Sequence, residues 1–249
     1  MLNIWVAPCL SARVSAIRME TSTFLEFIRL VIAGDTDRVS RRLSAAPVLA
    51  TTASPVGATR QEATDFFFTA ISHYLYAGDT ALHMAAAAFS RPMAELLLTH
   101  GADCRAKNRR GAEPLHYAAD GGRRAPRAQA GVIEYLISMG AEPNAVDKTG
   151  VAPLHRAVRT RSLAAVRALL DGGAELRQPN KSGSTPLHLA VQNTGKSGSG
   201  SDEAHQQQAE IIKLLLARGA RPTDKDSQGK TVKQAATSVW IRELLTKAC

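Results

Sequence analysis

Four of the seven histidines in this 249-residue chain, His83, His116, His155 and His188, occupy matching surroundings 33, 39 and 33 residues apart. Imidazole can ligate a metal or move a proton, so the first question is whether these four could act together. Each sits early in a helical stretch. Neighbouring helix axes lie about 8–10 Å apart, whereas zinc ligands stand about 2 Å from the metal. Histidines of adjacent stretches therefore cannot meet on one ion. The other candidates are no stronger. Gly195-Lys196-Ser197 resembles the end of a phosphate-binding loop, but the pattern needs glycine five residues before Gly195, where position 190 is alanine. Cys9, Cys104 and Cys249 form no CxxC pair, and Cys104 reads as a small packing residue. No G-x-S-x-G or H-E-x-x-H is present. The sequence offers no catalytic constellation, cofactor site or metal site.

The elements that carry the histidines repeat. The strings TALHMAA at 80–86, EPLHYAA at 113–119, APLHRAV at 152–158 and TPLHLAV at 185–191 align with one another. Each is followed by a second matching string: ELLLTHGA at 95–102, EYLISMGA at 134–141, RALLDGGA at 167–174 and KLLLARGA at 213–220. Pro114, Pro153 and Pro186 suit a first helical turn, which has no use for the missing N–H. Thr80 and Thr185 suit N-caps. Apolar residues such as Ile211, Leu214 and Leu215 follow the helical period. Gly101, Gly140, Gly173 and Gly219 close the second helices, and polar turns such as 144–150 follow. No unit buries its own apolar face, so the units must stack.

These residues resemble the ankyrin repeat, with its 33-residue period and T-P-L-H-x-A signature. The resemblance implies an all-α solenoid of stacked helix-turn-helix units joined by β-hairpin or turn loops. The units expected are 78–110, 111–149, 150–182 and 183–228. A degenerate helix pair with a loop and an aromatic-rich segment is expected over 23–77, and a terminal cap over 229–249. Residues 1–22 read as a disordered segment without the basic start of a secretory signal. The resemblance makes the repeated histidine structural, bonded to turn backbone.

Two units exceed the period. The second carries six extra residues around 120–127, and the fourth carries 13 around 195–208, the latter read as a flexible Gly/Ser loop. Both read as drift tolerated between helices, with partner contact as the alternative for the arginine-rich first insertion. The run 61–76 holds five of the twelve aromatic residues and reads as packing against the cap and first repeat.

Composition narrows function. There are 31 basic and 22 acidic residues, for a net charge of +9; residues 1–77 hold seven and six, so the excess lies beyond them. Unpaired cysteines favour a reducing compartment, the cytoplasm, and no apolar run is long enough for a membrane span. Ankyrin domains bind mainly proteins, through hairpin tips and the concave face of their first helices. Carried over, the tips are Arg109, Arg110 and Ala112; Lys148, Thr149 and Val151; Lys181, Ser182 and Ser184. The concave positions are Ala87, Ala88, Asp120, Gly121, Arg159, Thr160, Gln192 and Asn193. Arg109, Arg110, Lys148 and Lys181 form a basic line that Arg159 and Arg161 would widen. The expectation is a non-catalytic adaptor that binds an acidic protein segment, with no small-molecule substrate. The alternative is a basic protein that associates with nucleic acid, against which stands the lack of aromatics among the basic tips.

Overall fold

A computed structural model of the chain describes residues 10–59, 61, 63–121, 125–193 and 201–247, and for 10–21 the backbone alone. The helices are α1 (Leu10–Ala33), α2 (Thr36–Ala45), α3 (Ala81–Ala87), α4 (Arg91–Thr99), α5 (Pro114–Ala118), α6 (Pro126–Ser138), α7 (Pro153–Arg159), α8 (Leu163–Asp171), α9 (Pro186–Ala190), α10 (Asp202–Ala217), α11 (Val232–Ala235) and α12 (Val239–Lys247). One two-stranded antiparallel hairpin, β1 (Phe67–Phe68) with β2 (His73–Tyr74), precedes α3.

Contacts between elements follow two rows. The inner row runs α1, α3, α5, α7, α9, α11, and the outer row runs α2, α4, α6, α8, α10, α12. Each unit touches its neighbours in the row, so one continuous apolar core extends from Phe24 to Leu245. The inner helices are short and alanine-rich, and α3 is buried at every position. Small side chains let adjacent helices approach closely, which is why aromatics are scarce.

The expected punctuation is in place. Proline opens α5, α7 and α9. The second helices end at Gly101, Gly140, Gly173 and Gly219, with φ between 87° and 100°. The alanine after each glycine donates back to the last turn, for example Ala102 N–H to the Leu97 carbonyl at 3.0 Å and Ala141 N–H to Leu136 at 2.9 Å.

Three boundaries differ from expectation. Helix α1 begins at Leu10, not after residue 22; the remainder of that expectation, 1–9, lies outside the described residues. The second half of the long insertion is helix rather than loop: α10 has 16 residues where α4 and α8 have nine. The Ser201 side chain accepts from Ala204 N–H, with Asp202 and Glu203 in the first turn. The residues 194–200 lie outside the description. Likewise α6 reaches 13 residues by starting at Pro126, so part of the first insertion also lengthens an outer helix.

The repeated histidines join the units. In each, Nδ1 accepts the N–H of the residue before its own helix: Thr80 to His83 at 3.1 Å, Glu113 to His116 at 3.1 Å, Ala152 to His155 at 3.2 Å and Thr185 to His188 at 3.2 Å. An N–H can only donate, so Nδ1 is unprotonated and Nε2 carries the hydrogen. Nε2 then donates to a carbonyl of the next unit: Ala112 at 3.1 Å, Val151 at 3.1 Å, Ser184 at 3.2 Å and Lys230 at 3.3 Å. Thr80 and Thr185 add hydroxyls 3.0 and 2.9 Å from the same Nδ1 atoms.

This bonding requires neutral imidazole. Burial lowers the pKa of His83 and His155, and burial with the nearby Arg156 charge lowers that of His116 to about 3. The contribution is intact above the ordinary value of 6.5 and is lost as pH falls towards 3, because the unfolded chain binds the proton first. Stability should therefore fall by about 2–3 kcal/mol between about pH 6.5 and 4.5 from His116 alone, with His83 and His155 adding in the same direction. Urea denaturation across that range checks this; a flat profile contradicts it. A second test compares two turn glycines. A Cβ at Gly183, where φ is 72°, would overlap the Ser227 backbone nitrogen, whereas at Gly229, with φ 76°, it meets nothing within 4 Å. Gly229→Ala should cost about 1 kcal/mol for its backbone alone, and Gly183→Ala clearly more, read as the difference in denaturation midpoint.

Candidate functional site

Each hairpin tip is built by one Asn or Asp. The Asn108 Oδ1 accepts the N–H of Arg110 at 2.9 Å and of Ala112 at 3.0 Å. Asp147 does the same for Thr149 and Val151, Asn180 for Ser182 and Ser184, and Asp226 for Gln228 and Lys230. The side chain imitates a backbone acceptor and fixes the turn. The tips then bond to one another: Arg109 N–H to the Ala77 carbonyl at 2.8 Å, Lys148 to Arg110 at 2.8 Å, Lys181 to Thr149 at 3.2 Å and Ser227 to Ser182 at 3.1 Å. A continuous backbone ribbon results, with Arg110, Lys148 and Lys181 exposed on successive tips.

Most expected tip residues are accessible: Arg109, Thr149 and Ser182 are exposed, and Val151 and Ser184 half-buried. Two expectations are corrected. Ala112 is buried, because its carbonyl faces inward to receive His83. Arg161 is only 8% exposed, so it does not widen the exposed basic line as Arg159 does. Arg109 also braces the fold: its guanidinium donates to the Ala58 carbonyl and stands over the Tyr76 ring at 5.7 Å, with Arg110 over the same ring at 4.9 Å.

The concave face holds a cavity of about 940 Å³. Ala87, Ala88, Asp120, Gly121, Arg159 and Thr160 all line it, so six of the eight expected concave positions meet in one place. Gln192 and Asn193 lie elsewhere; the Asn193 side chain is tied to Thr237 at 3.0 Å and Ser238 at 2.8 Å. The roof is the β1–β2 hairpin, part of the aromatic run expected to pack on the core. Phe66, Phe68 and Ile71 do lean on the core, but Phe67 is 39% exposed, and Tyr74 faces the cavity with the turn 69–72. The His73 ring stacks on Tyr117 at 4.4 Å.

Two polar networks are built into the central repeats, and the second lines the cavity. Fully buried Asp79 accepts from Tyr117 Oη at 2.8 Å, Asn108 Nδ2 at 2.8 Å and Tyr76 N–H at 2.6 Å. Burial and the Asp79 charge raise the Tyr117 pKa well above its ordinary value, which keeps the hydroxyl a donor. One repeat on, Arg156 bridges Asp147 at 3.1 Å and Asp120 at 3.5 Å, and Arg159 reaches Asp120 at 4.0 Å. Burial pushes the Asp147 carboxyl up, but bonds from Thr149, Val151 and Arg156 outweigh it and the net pKa lies below the usual value. Tyr117 and Arg156 both follow the repeat histidine, where Met84 and Leu189 are apolar. That alternation is the sequence signal for the two networks in the central repeats.

Among the described residues, no group of His, Cys, Asp and Glu is arranged to hold a metal ion, and no helix is long and apolar enough to cross a membrane. Cys104 is half-buried, with its thiol 3.4 Å from the Met139 carbonyl.

A search of curated proteins returns no match. A family model described as ankyrin repeats (three copies) matches residues 58–125 and 125–226, leaving the terminal helix pairs α1–α2 and α11–α12 outside it. With two interlocked rows of helices, a tip ribbon and a match over most of its length, the chain belongs to the ankyrin-repeat family.

Proposed function

We propose that the protein is a non-catalytic adaptor that captures an acidic segment of a partner protein along the tip ribbon. One observation carries this reading. Arg110, Lys148 and Lys181 stand on three successive tips tied backbone to backbone, and none of them makes an ion pair among the described residues. Some exposed arginines elsewhere are neutralised, as in Arg177–Asp224 at 2.5 Å and Arg218–Asp171 at 2.7 Å. Unpaired cations about 10 Å apart, the spacing of neighbouring helices, present a regular positive edge to an extended acidic chain. Binding proteins is the general role of ankyrin repeats, which supports the choice of partner class. The cytoplasm remains the setting that best suits a half-buried free thiol at Cys104.

Nucleic acid is the less favoured ligand. Binding to single strands uses open aromatic faces between the cations, whereas the Tyr76 ring beside the ribbon lies beneath two guanidinium groups.

Replacing Arg110, Lys148 and Lys181 together by glutamate should weaken capture of the partner at least tenfold, since each exposed charge contact contributes about 0.5–1 kcal/mol. The thermal midpoint should stay within a few degrees. Affinity capture from native extract, followed by titration of the recovered partner, measures the first, and circular dichroism the second. Undiminished capture, or tight salt-sensitive gel shifts of oligonucleotides without a protein partner, would overturn the reading.

A further inference from the structure

We propose that the cavity under the β1–β2 hairpin is a specificity pocket for one apolar or aromatic side chain of the acidic segment, with carboxylates on either side of that residue reaching Arg110 and Arg159. The inference rests on the adaptor reading above and adds what the segment must contain.

Size and composition set the ligand class. About 940 Å³ lies in the usual range for ligand clefts, about 300–1,000 Å³, and leaves room for the flanking residues of the segment beside the one side chain. Ile71, Tyr74 and Phe89 contribute apolar surface, and the lining carries four arginines against two aspartates. Asp147 and Asp120 already receive Arg156, so positive charge is left over at the rim, where Arg110 and Arg159 are exposed. An apolar residue between carboxylates complements both features; a basic or purely apolar segment complements one at most.

Backbone conformation points to the same place. Ser72, Phe89 and Arg161 are the non-glycine residues with left-handed backbone among those described, at φ 50°, 52° and 57°. All three line this cavity. Such conformations are costly for residues with a Cβ and collect where a side chain must be aimed at a ligand. Phe89 and Arg161 each lie six residues past their repeat histidine, so equivalent corners of two repeats border the cavity.

The roof is fixed before any ligand arrives. Ala58 N–H donates to Leu75 at 2.7 Å and Leu75 N–H to Phe66 at 2.9 Å, Leu75 is fully buried, and His73 rests on Tyr117. A wall that is already ordered loses little entropy on binding.

The test is selection of a displayed library of random 12-residue peptides on the full chain. The expected result is enrichment of peptides with Asp or Glu within three residues of Phe, Trp, Tyr, Leu or Ile. A fluorescein-labelled copy of the most enriched peptide should then lose at least tenfold in affinity on Ile71→Asp and fivefold on Arg159→Gln, by anisotropy. Arg159 is exposed, so that variant stays informative if Ile71→Asp disturbs the hairpin. Peptides weakened by Lys148→Glu with Lys181→Glu but by neither pocket variant would overturn the pocket and leave the adaptor reading standing. Enrichment of basic peptides, no enrichment, or displacement by a single-stranded oligonucleotide would overturn both.

Discussion

One buried side-chain bond recurs at every joint of the stack and helps to hold it in register: an imidazole that accepts from its own unit and donates to the next. Hydrophobic contact between rows of alanine and leucine is strong but tolerant of sliding, because small side chains interdigitate in more than one way. The bond from Nε2 to Ala112, Val151, Ser184 or Lys230 is directional, and it fails if the units shift by a residue. Each bond contributes only about 1 kcal/mol net, but leaving both partners buried and unpaired costs more. The tip ribbon depends on it, since the carbonyls that receive Nε2 in the first three cases belong to the very turns that carry the basic residues.

The same constraint explains how polar groups are divided. Inside, carboxylates and cations are consumed in closed sets: Asp79 by Tyr117, Asn108 and Tyr76, and Arg156 by Asp147 and Asp120. These hold the central repeats to a single arrangement. On the tips the carboxamide or carboxylate faces inward to the turn and the cation outward. Part of the excess charge of the C-terminal two-thirds, Arg109, Arg110, Lys148 and Lys181, is thus displayed on turns whose backbone is bonded tip to tip.

Much of this could be read from the residues. The histidines, opening prolines, closing glycines and Asn/Asp tips are local signals, each with one conformational meaning, and the structure places them accordingly. What escaped was set by tertiary contact or by missing signals. Ala112 sits close to two exposed arginines in sequence, but its carbonyl is claimed by His83. The hairpin at 67–74 turns through Thr69-Ala70-Ile71-Ser72, with no glycine or asparagine, so Ser72 adopts φ 50° without announcing a turn. The helical half of the long insertion did carry a signal, Ser201 followed by Asp202 and Glu203, which the preceding Gly/Ser run obscured. Tyr117 and Arg156 were visible as polar residues on an apolar register, but their partners lie in other repeats.

The column of imidazoles stops one layer short. Where the other units have histidine, the last has Gln234, whose Oε1 accepts the Thr231 N–H at 2.8 Å and so reproduces the inward half of the arrangement with no forward reach. The layer formed by α11 and α12 therefore receives one histidine bond, the longest of the four, His188 to Lys230 at 3.3 Å, beside Ser227 to Ser182 and the Asn193 bonds to Thr237 and Ser238. Fraying should begin there and proceed inwards, so that amide protons of α11 exchange with solvent well before those of α5 and α7, and a gradient of protection runs along the array although its core is continuous.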